Sequence, residues 1–198
     1  MLKKLIFLFI LLSSFLNSEN SGDLLYRVRE KLDRIKPFKV EFKNQVINDG
    51  ILEIEERGLM TFRDRKKIKW EYLDPDHKIW ILSEDSYEYY DEEDEQITKG
   101  RLEKKTQLWI FQLLYTKELS ENISLDPEKR TIHFSNKNDG ADFLIFVSES
   151  FLPIKIIQKD PTGVDIVYLF SEYRINLALP DDEFKLKTDG NVDVIEFE

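Results

Sequence analysis

Apolar positions first recur with helical spacing. Leu24, Leu25, Val28, Leu32 and Ile35 form one stripe with polar residues between them, which predicts an amphipathic helix. Ser21 or Asp23 serves as its N-cap and Pro37 closes it. The period then changes to two. Phe38, Val40 and Phe42 alternate with Lys39, Glu41 and Lys43, as in a half-buried strand. Asn48-Asp49-Gly50 is a turn signal that leads into Leu52 and Ile54, and Met60 and Phe62 follow Gly58. Ile68, Trp70 and Tyr72 continue the rhythm, then Lys78–Leu82 and Tyr87–Tyr90.

The middle of the chain breaks the alternation. Gln107 to Tyr115 is a long, continuous apolar run and predicts one or two turns of helix. Strands are expected again at Thr131–Phe134, Phe143–Ser148, Ile154–Lys159, Val164–Phe170, Phe184–Leu186 and Val192–Ile195. Turn signals fall roughly every ten residues, the spacing of a sandwich or barrel. No internal repeat or linker divides the pattern. One mainly antiparallel β domain with a few helices is expected over residues 19–198.

The first residues read differently. Lys3-Lys4 precede the apolar run Leu5 to Leu12, and the segment turns polar by Asn17-Ser18. That is the pattern of a secretory signal peptide, with residues 1–18 expected to be cleaved. The run falls short of the ~20 residues that a membrane-spanning helix needs. Removing it would take the formal charge from −10 to −12.

Composition narrows the chemistry further. The 198 residues are 41% hydrophobic and 13% aromatic, enough for a real core. An acidic balance argues against a nucleic-acid partner. No cysteine is present, which removes disulfides, thiolate metal sites, cysteine nucleophiles and an N-terminal lipid anchor. Asp91-Glu92-Glu93-Asp94-Glu95 lacks the alternation and glycine of a calcium loop and reads as a solvated hairpin tip. His77 sits in a turn and His133 alone in a strand, so both read as structural. Asn122-Ile123-Ser124 matches a glycosylation acceptor, a triplet that chance also supplies. No phosphate loop, nucleophile elbow or zinc helix occurs. No catalytic residue, metal or cofactor is expected.

Large apolar side chains dominate the first half of the fold. Phe38, Val40, Phe42, Met60, Phe62, Trp70 and Tyr72 have matching parity on adjoining strands and should share one face, joined by Trp80 and Leu82. An ordinary core would use such residues, and so would a sheet curled round an apolar cavity. Composition does not separate the two.

The order of landmarks does more. Phe38-Lys-Val-Glu-Phe-Lys-Asn-Gln45 resembles the opening "F-x-A-x-F-x-Q" motif of the outer-membrane lipoprotein carrier family, LolA. Gly58-Leu-Met-Thr-Phe62, then Ile68-Lys-Trp-Glu-Tyr72 and Pro75, resemble its "G-x-L-x-F … F-x-W-x-Y-x-x-P" stretch. Ile81-Leu-Ser83, Tyr89-Tyr-Asp91 and Glu95-Gln-Ile97 are similar to its next hairpin. Pro153-Ile-Lys, Asp160-Pro-Thr-Gly163, Asn176, Phe184 and Gly190-Asn-Val-Asp-Val-Ile195 are similar to its closing pattern.

The resemblance implies an incomplete, unclosed antiparallel β-barrel whose concave apolar face is covered by a few α-helices acting as a lid. It implies a periplasmic carrier that binds the acyl chains of lipoproteins, and a one-to-one load is that of a monomer. An inner-membrane ATP-driven lipoprotein exporter would supply them, and an outer-membrane lipoprotein receptor would take them. The nine apolar residues above become the acyl-chain cavity. The family has an Arg-Pro pair after the Phe62 strand, and its arginine is tied to lid closure. Here Asp64-Arg65 stands in that place, so Arg63 and Arg65 are the latch candidates. Two alternatives stay open: an exported lipid-binding or lipoprotein-sensing domain of the same fold, and a β-sandwich interaction module.

Overall fold

The computed structural model describes residues 21–64, 67–83, 85–101, 123–126, 128–135, 142–187 and 192–197. The expected signal segment, the helix expected over Gln107–Tyr115 and the glycosylation asparagine lie outside these residues. The chain opens with helix α1 (Ser21–Ile35), whose apolar stripe is the expected one, and passes directly into β1 (Phe38–Asn48). Strands follow as β2 (Ile51–Asp64), β3 (Lys67–Asp74), β4 (Lys78–Leu82), β5 (Ser86–Asp91) and β6 (Gln96–Arg101). After the undescribed middle come β7 (Ile123–Asp126), β8 (Thr131–Ser135), β9 (Asp142–Val147), β10 (Pro153–Lys159), β11 (Val164–Ile175) and β12 (Asp193–Glu196).

All twelve strands belong to one sheet, ordered β12-β6-β5-β4-β3-β2-β1-β11-β10-β9-β8-β7. The order does not close on itself: β12 and β7 are its edges. One sheet in place of two disposes of the sandwich alternative. Neighbouring strands run antiparallel, except that β12 lies parallel to β6. The turn read from Asn48-Asp49-Gly50 joins β1 to β2, with φ of 49° at Asp49 and 81° at Gly50. Two left-handed central residues match the right-handed twist of the flanking strands.

Curvature follows from ring distances. Trp70 on β3 and Tyr168 on β11 are separated in the sheet by β2 and β1. Three strand spacings in a flat sheet would span about 14 Å. Their ring centroids are 5.6 Å apart, and Trp70 stands 6.4 Å from Phe170. The sheet is therefore strongly curled, and this face is the concave one. It closes on α1: Leu24, Leu25, Val28, Leu32 and Ile35 share one buried cluster with Trp70, Phe134, Ile145, Ile156 and Phe170.

One expectation is corrected here. Phe184–Leu186 is no strand; Asp181–Phe184 forms a 3₁₀ turn, and three consecutive acids there favour a solvated turn over a paired strand. Phe184 still faces inward, packing with Ile79 and Ile81 of β4 on the convex side. The strands β6 and β7 also escaped the pattern, since Gln96–Arg101 carries one buried apolar residue and β7 is only four residues long.

Gly58 fixes a close approach between strands. A Cβ there would lie 2.0 Å from the Glu71 carbonyl oxygen and 2.6 Å from the Phe42 ring. The backbone contact cannot be relieved by a rotamer change. Gly58→Ala should lower unfolding stability by about 3 kcal/mol, the upper range for overpacking. Urea denaturation of the variant beside the parent measures it.

Candidate ligand-binding face

Register decides which side chains meet. Phe62 and Phe38 are paired across β2 and β1, as are Met60 and Val40, then Gly58 and Phe42. On the other side of β2, Ile68 pairs Phe62 and Trp70 pairs Met60. Trp70 pairs Trp80, and Ile68 pairs Leu82. All nine residues expected at the cavity thus stand on one concave surface. Phe38, Val40, Phe42, Met60, Phe62, Trp70, Tyr72 and Leu82 are buried, and Trp80 is half-buried against them.

These side chains are packed on one another. Phe38 stacks on Phe62 with centroids 5.0 Å apart, and Phe42 lies 4.7 Å from Trp70 and 5.1 Å from Tyr72. Trp80 lies 4.3 Å from Tyr89. Such pairs contribute about 0.5–1.5 kcal/mol beyond their buried area. The surface is its own core as long as α1 sits on it.

Burial shapes the tyrosines of this face. Desolvation pushes the phenols of Tyr72, Tyr168 and Tyr173 up, and the charge of Glu56 adds to the first two. Each stays a neutral hydroxyl at physiological pH. The Tyr173 hydroxyl donates to the Pro153 carbonyl at 2.8 Å.

The convex side is organised by the segment after β11. Asn176 N–H donates to the Ile35 carbonyl and Leu177 N–H to that of Pro37, tying this strap to the end of α1. It then crosses β4, where Leu179, Phe184 and Leu186 cover Ile79 and Ile81. Lys39 on β1 holds Glu183 at 2.6 Å. The two latch candidates separate here. Arg63 lies on this convex side: its guanidinium donates to the Leu179 carbonyl at 2.6 Å and to Asp181, and lies 4.7 Å from the Phe184 ring centre. Arg65 lies outside the described residues. Sequence parity already set Arg63 apart from Phe62; nothing local marked its partners, which are over a hundred residues away.

The histidines are also engaged. His77 lies between Glu92 at 2.8 Å and Glu71 at 3.2 Å. His133 has Ser124 Oγ at 3.3 Å and Asp142 at 3.5 Å, a serine–histidine–aspartate line across β7, β8 and β9. Its long contacts and solvent-facing side chains are those of a cross-strand polar ladder. A convex groove of about 630 Å³ runs over Leu59, Leu73 and Leu169, with Glu41 and Arg174 paired at its rim.

Comparison with known proteins agrees with this frame, an open antiparallel sheet curled round an apolar, helix-covered face. Residues 33–187 match the family model described as outer membrane lipoprotein carrier protein LolA, and the chain belongs to that family. It is 21% identical over 205 residues to an outer-membrane lipoprotein carrier protein of Pseudoalteromonas translucida (strain TAC 125), covering 98% of this chain and 97% of that one. A carrier protein of the same description from Helicobacter hepaticus (strain ATCC 51449 / 3B1) is 21% identical over 164 residues, 83% of this chain and 86% of the relative. Among solved structures, an uncharacterized conserved protein from Thermus thermophilus superposes with a TM-score of 0.60 at 12% identity, covering 90% of this chain and all of that one.

The strap contacts generate a prediction. Arg63→Leu should cost about 1–2 kcal/mol, from the carbonyl bond and the ring contact. Amide exchange over residues 177–187 should rise while β1–β3 stay protected. The Arg63 hydrogen bond, with the charge of Lys67, lowers the Asp181 carboxyl below its ordinary value. Its share of strap anchoring is therefore complete above the ordinary aspartate range and lost as pH falls through the lowered folded value. Exchange over the strap that is the same in parent and variant would refute the anchor.

Proposed function

We propose that this chain is a periplasmic carrier that binds the acyl chains of lipoproteins and delivers them to the outer membrane. The observation that carries the reading is the concave aromatic face closed by α1, in a member of a lipoprotein carrier family. An acyl chain in water costs about 0.8 kcal/mol per methylene, so a carrier must offer apolar surface in place of the bilayer. Here that surface is already satisfied by the stripe of α1, and loading exchanges helix contacts for acyl contacts. The net affinity is the difference between the two, which keeps the cargo releasable.

An inner-membrane exporter as donor, an outer-membrane receptor as acceptor, and Arg65 as the remaining latch candidate belong to the same reading. Arg65→Leu in a reconstituted transfer assay tests that part: loading should persist and hand-over should change.

Tryptophan emission tests the binding face. Trp109 is replaced by Phe, leaving Trp70 and Trp80 as reporters. A diacylated lipopeptide should shift their emission and add its mass in native mass spectrometry; the deacylated peptide should do neither. Unchanged emission and mass at saturating lipopeptide would sink the carrier reading.

A further inference from the structure

The concave face is not apolar along its whole length. One row beyond Phe42 and Gly58, the residues side by side on β2, β1 and β11 are Glu56, Asn44 and Tyr168. Asn44 Nδ2 donates to Glu56 Oε2 at 2.9 Å, which fixes the orientation of the amide. Its Oδ1 is buried without a hydrogen-bond partner, on a residue only 6% exposed. One row further, on β10, Gln158 is 8% exposed and leaves Oε1 in the same condition. Buried acceptors without a donor are costly and uncommon in native proteins, so this end of the face is incomplete as it stands.

The surroundings define what would complete it. Tyr72, Tyr89 and Tyr168 all feel the charge of Glu56. The Tyr89 hydroxyl is already committed to Asp91 at 2.6 Å. Lys78, a cation of this region, is bonded to Asp76 at 3.2 Å and stands opposite Asp91 in register. The Tyr72 and Tyr168 hydroxyls bond each other, so the Asn44 amide oxygen and the Glu56 carboxylate remain, and both are acceptors only. They call for N–H or O–H donors, and the carboxylate selects a positive charge among them. The neighbouring row on these strands is that of Phe42, Tyr72 and Phe170, so the polar pair borders the aromatic surface.

We propose that Glu56 and Asn44 form a subsite for a primary ammonium group on an acylated ligand, whose chains lie along the adjoining aromatic rows. The proposal rests on the carrier reading and deepens it: the face would sense the head of its cargo as well as the tails. The ammonium could belong to the free amino terminus of a diacylated cysteine or to the ethanolamine head of a phospholipid. The recognising chemistry is the same.

Calorimetry with four ligands tests it. A diacylglyceryl-cysteinyl peptide with a free amine is compared with its N-acetylated form, and a short-chain phosphatidylethanolamine with its N-acetylated form. In at least one pair the free amine should bind about tenfold tighter. Glu56→Gln should bring that ratio close to one, and Asn44→Leu should reduce it. The pair that shows the ratio identifies the source of the ammonium. A ratio of one in both pairs with the parent protein, or a ratio that survives Glu56→Gln, overturns the subsite while leaving the carrier reading intact. Failure of all four ligands to bind overturns the carrier reading and the subsite with it.

Discussion

An open sheet curled tightly enough to put Trp70 on β3 against Tyr168 on β11 creates a concave apolar face that cannot be left to water. Covering that face is the constraint on which the remaining structure depends. Helix α1 supplies the cover with five apolar residues on one stripe, and it hands the chain straight into β1, the centre of the same face. The strap after β11 bonds to the last turn of that helix through the Ile35 carbonyl. It then crosses to the convex side, where Arg63 and Lys39 hold it. The helix seat and the convex strap are thus tied at one corner of the sheet. A displacement of α1 would be felt first at Asn176 and Leu177.

The rest of the convex side is built for solvent. Glu55 collects Gln45, Arg57 and Lys43 around one carboxylate, in that order of influence, and is held down to about 2. Because the group stays accessible to solvent, the cluster contributes solubility and strand register more than stability. Its contribution is complete above the ordinary glutamate range and disappears as pH falls through the lowered folded value. The sheet edges are equally restrained. The outer strands β7 and β12 have four residues each, a length that offers little template for pairing with another chain.

Much of this was legible along the chain because period alone decides facing. The stripe of α1, the alternation of β1 and the left-handed pair Asp49-Gly50 were all local signals. Given that turn, the parity of Phe38 to Tyr72 placed the aromatic face. Contacts made at long range were not legible. Phe184 packs as expected of an apolar residue, yet in a 3₁₀ turn, because it meets β4 only after the strap has crossed the sheet. The strand β6 pairs through its backbone, so its polar side chains carried no period to read. Asn44 and Glu56 had the right parity, but their pairing depends on an irregularity beside Val46 that shifts the register by one residue. Without it, the strand pairing would set a different residue beside Asn44.

The same side chains serve as the protein's own core and, on the proposed reading, as the seat of its cargo. A rigid, permanently open cavity would leave Phe38, Phe62 and Trp70 wet between loads and invite aggregation. A permanently packed core would admit nothing. The amphipathic helix resolves the conflict, since its stripe can be replaced by acyl methylenes of equal apolarity while its polar side stays in water. An exchange of that kind is nearly neutral in apolar area, so the apolar contacts give it little direction. Direction must come from elsewhere, and the polar pair of Glu56 and Asn44 stands where such a bias would act, beside the aromatic row of Phe42, Tyr72 and Phe170.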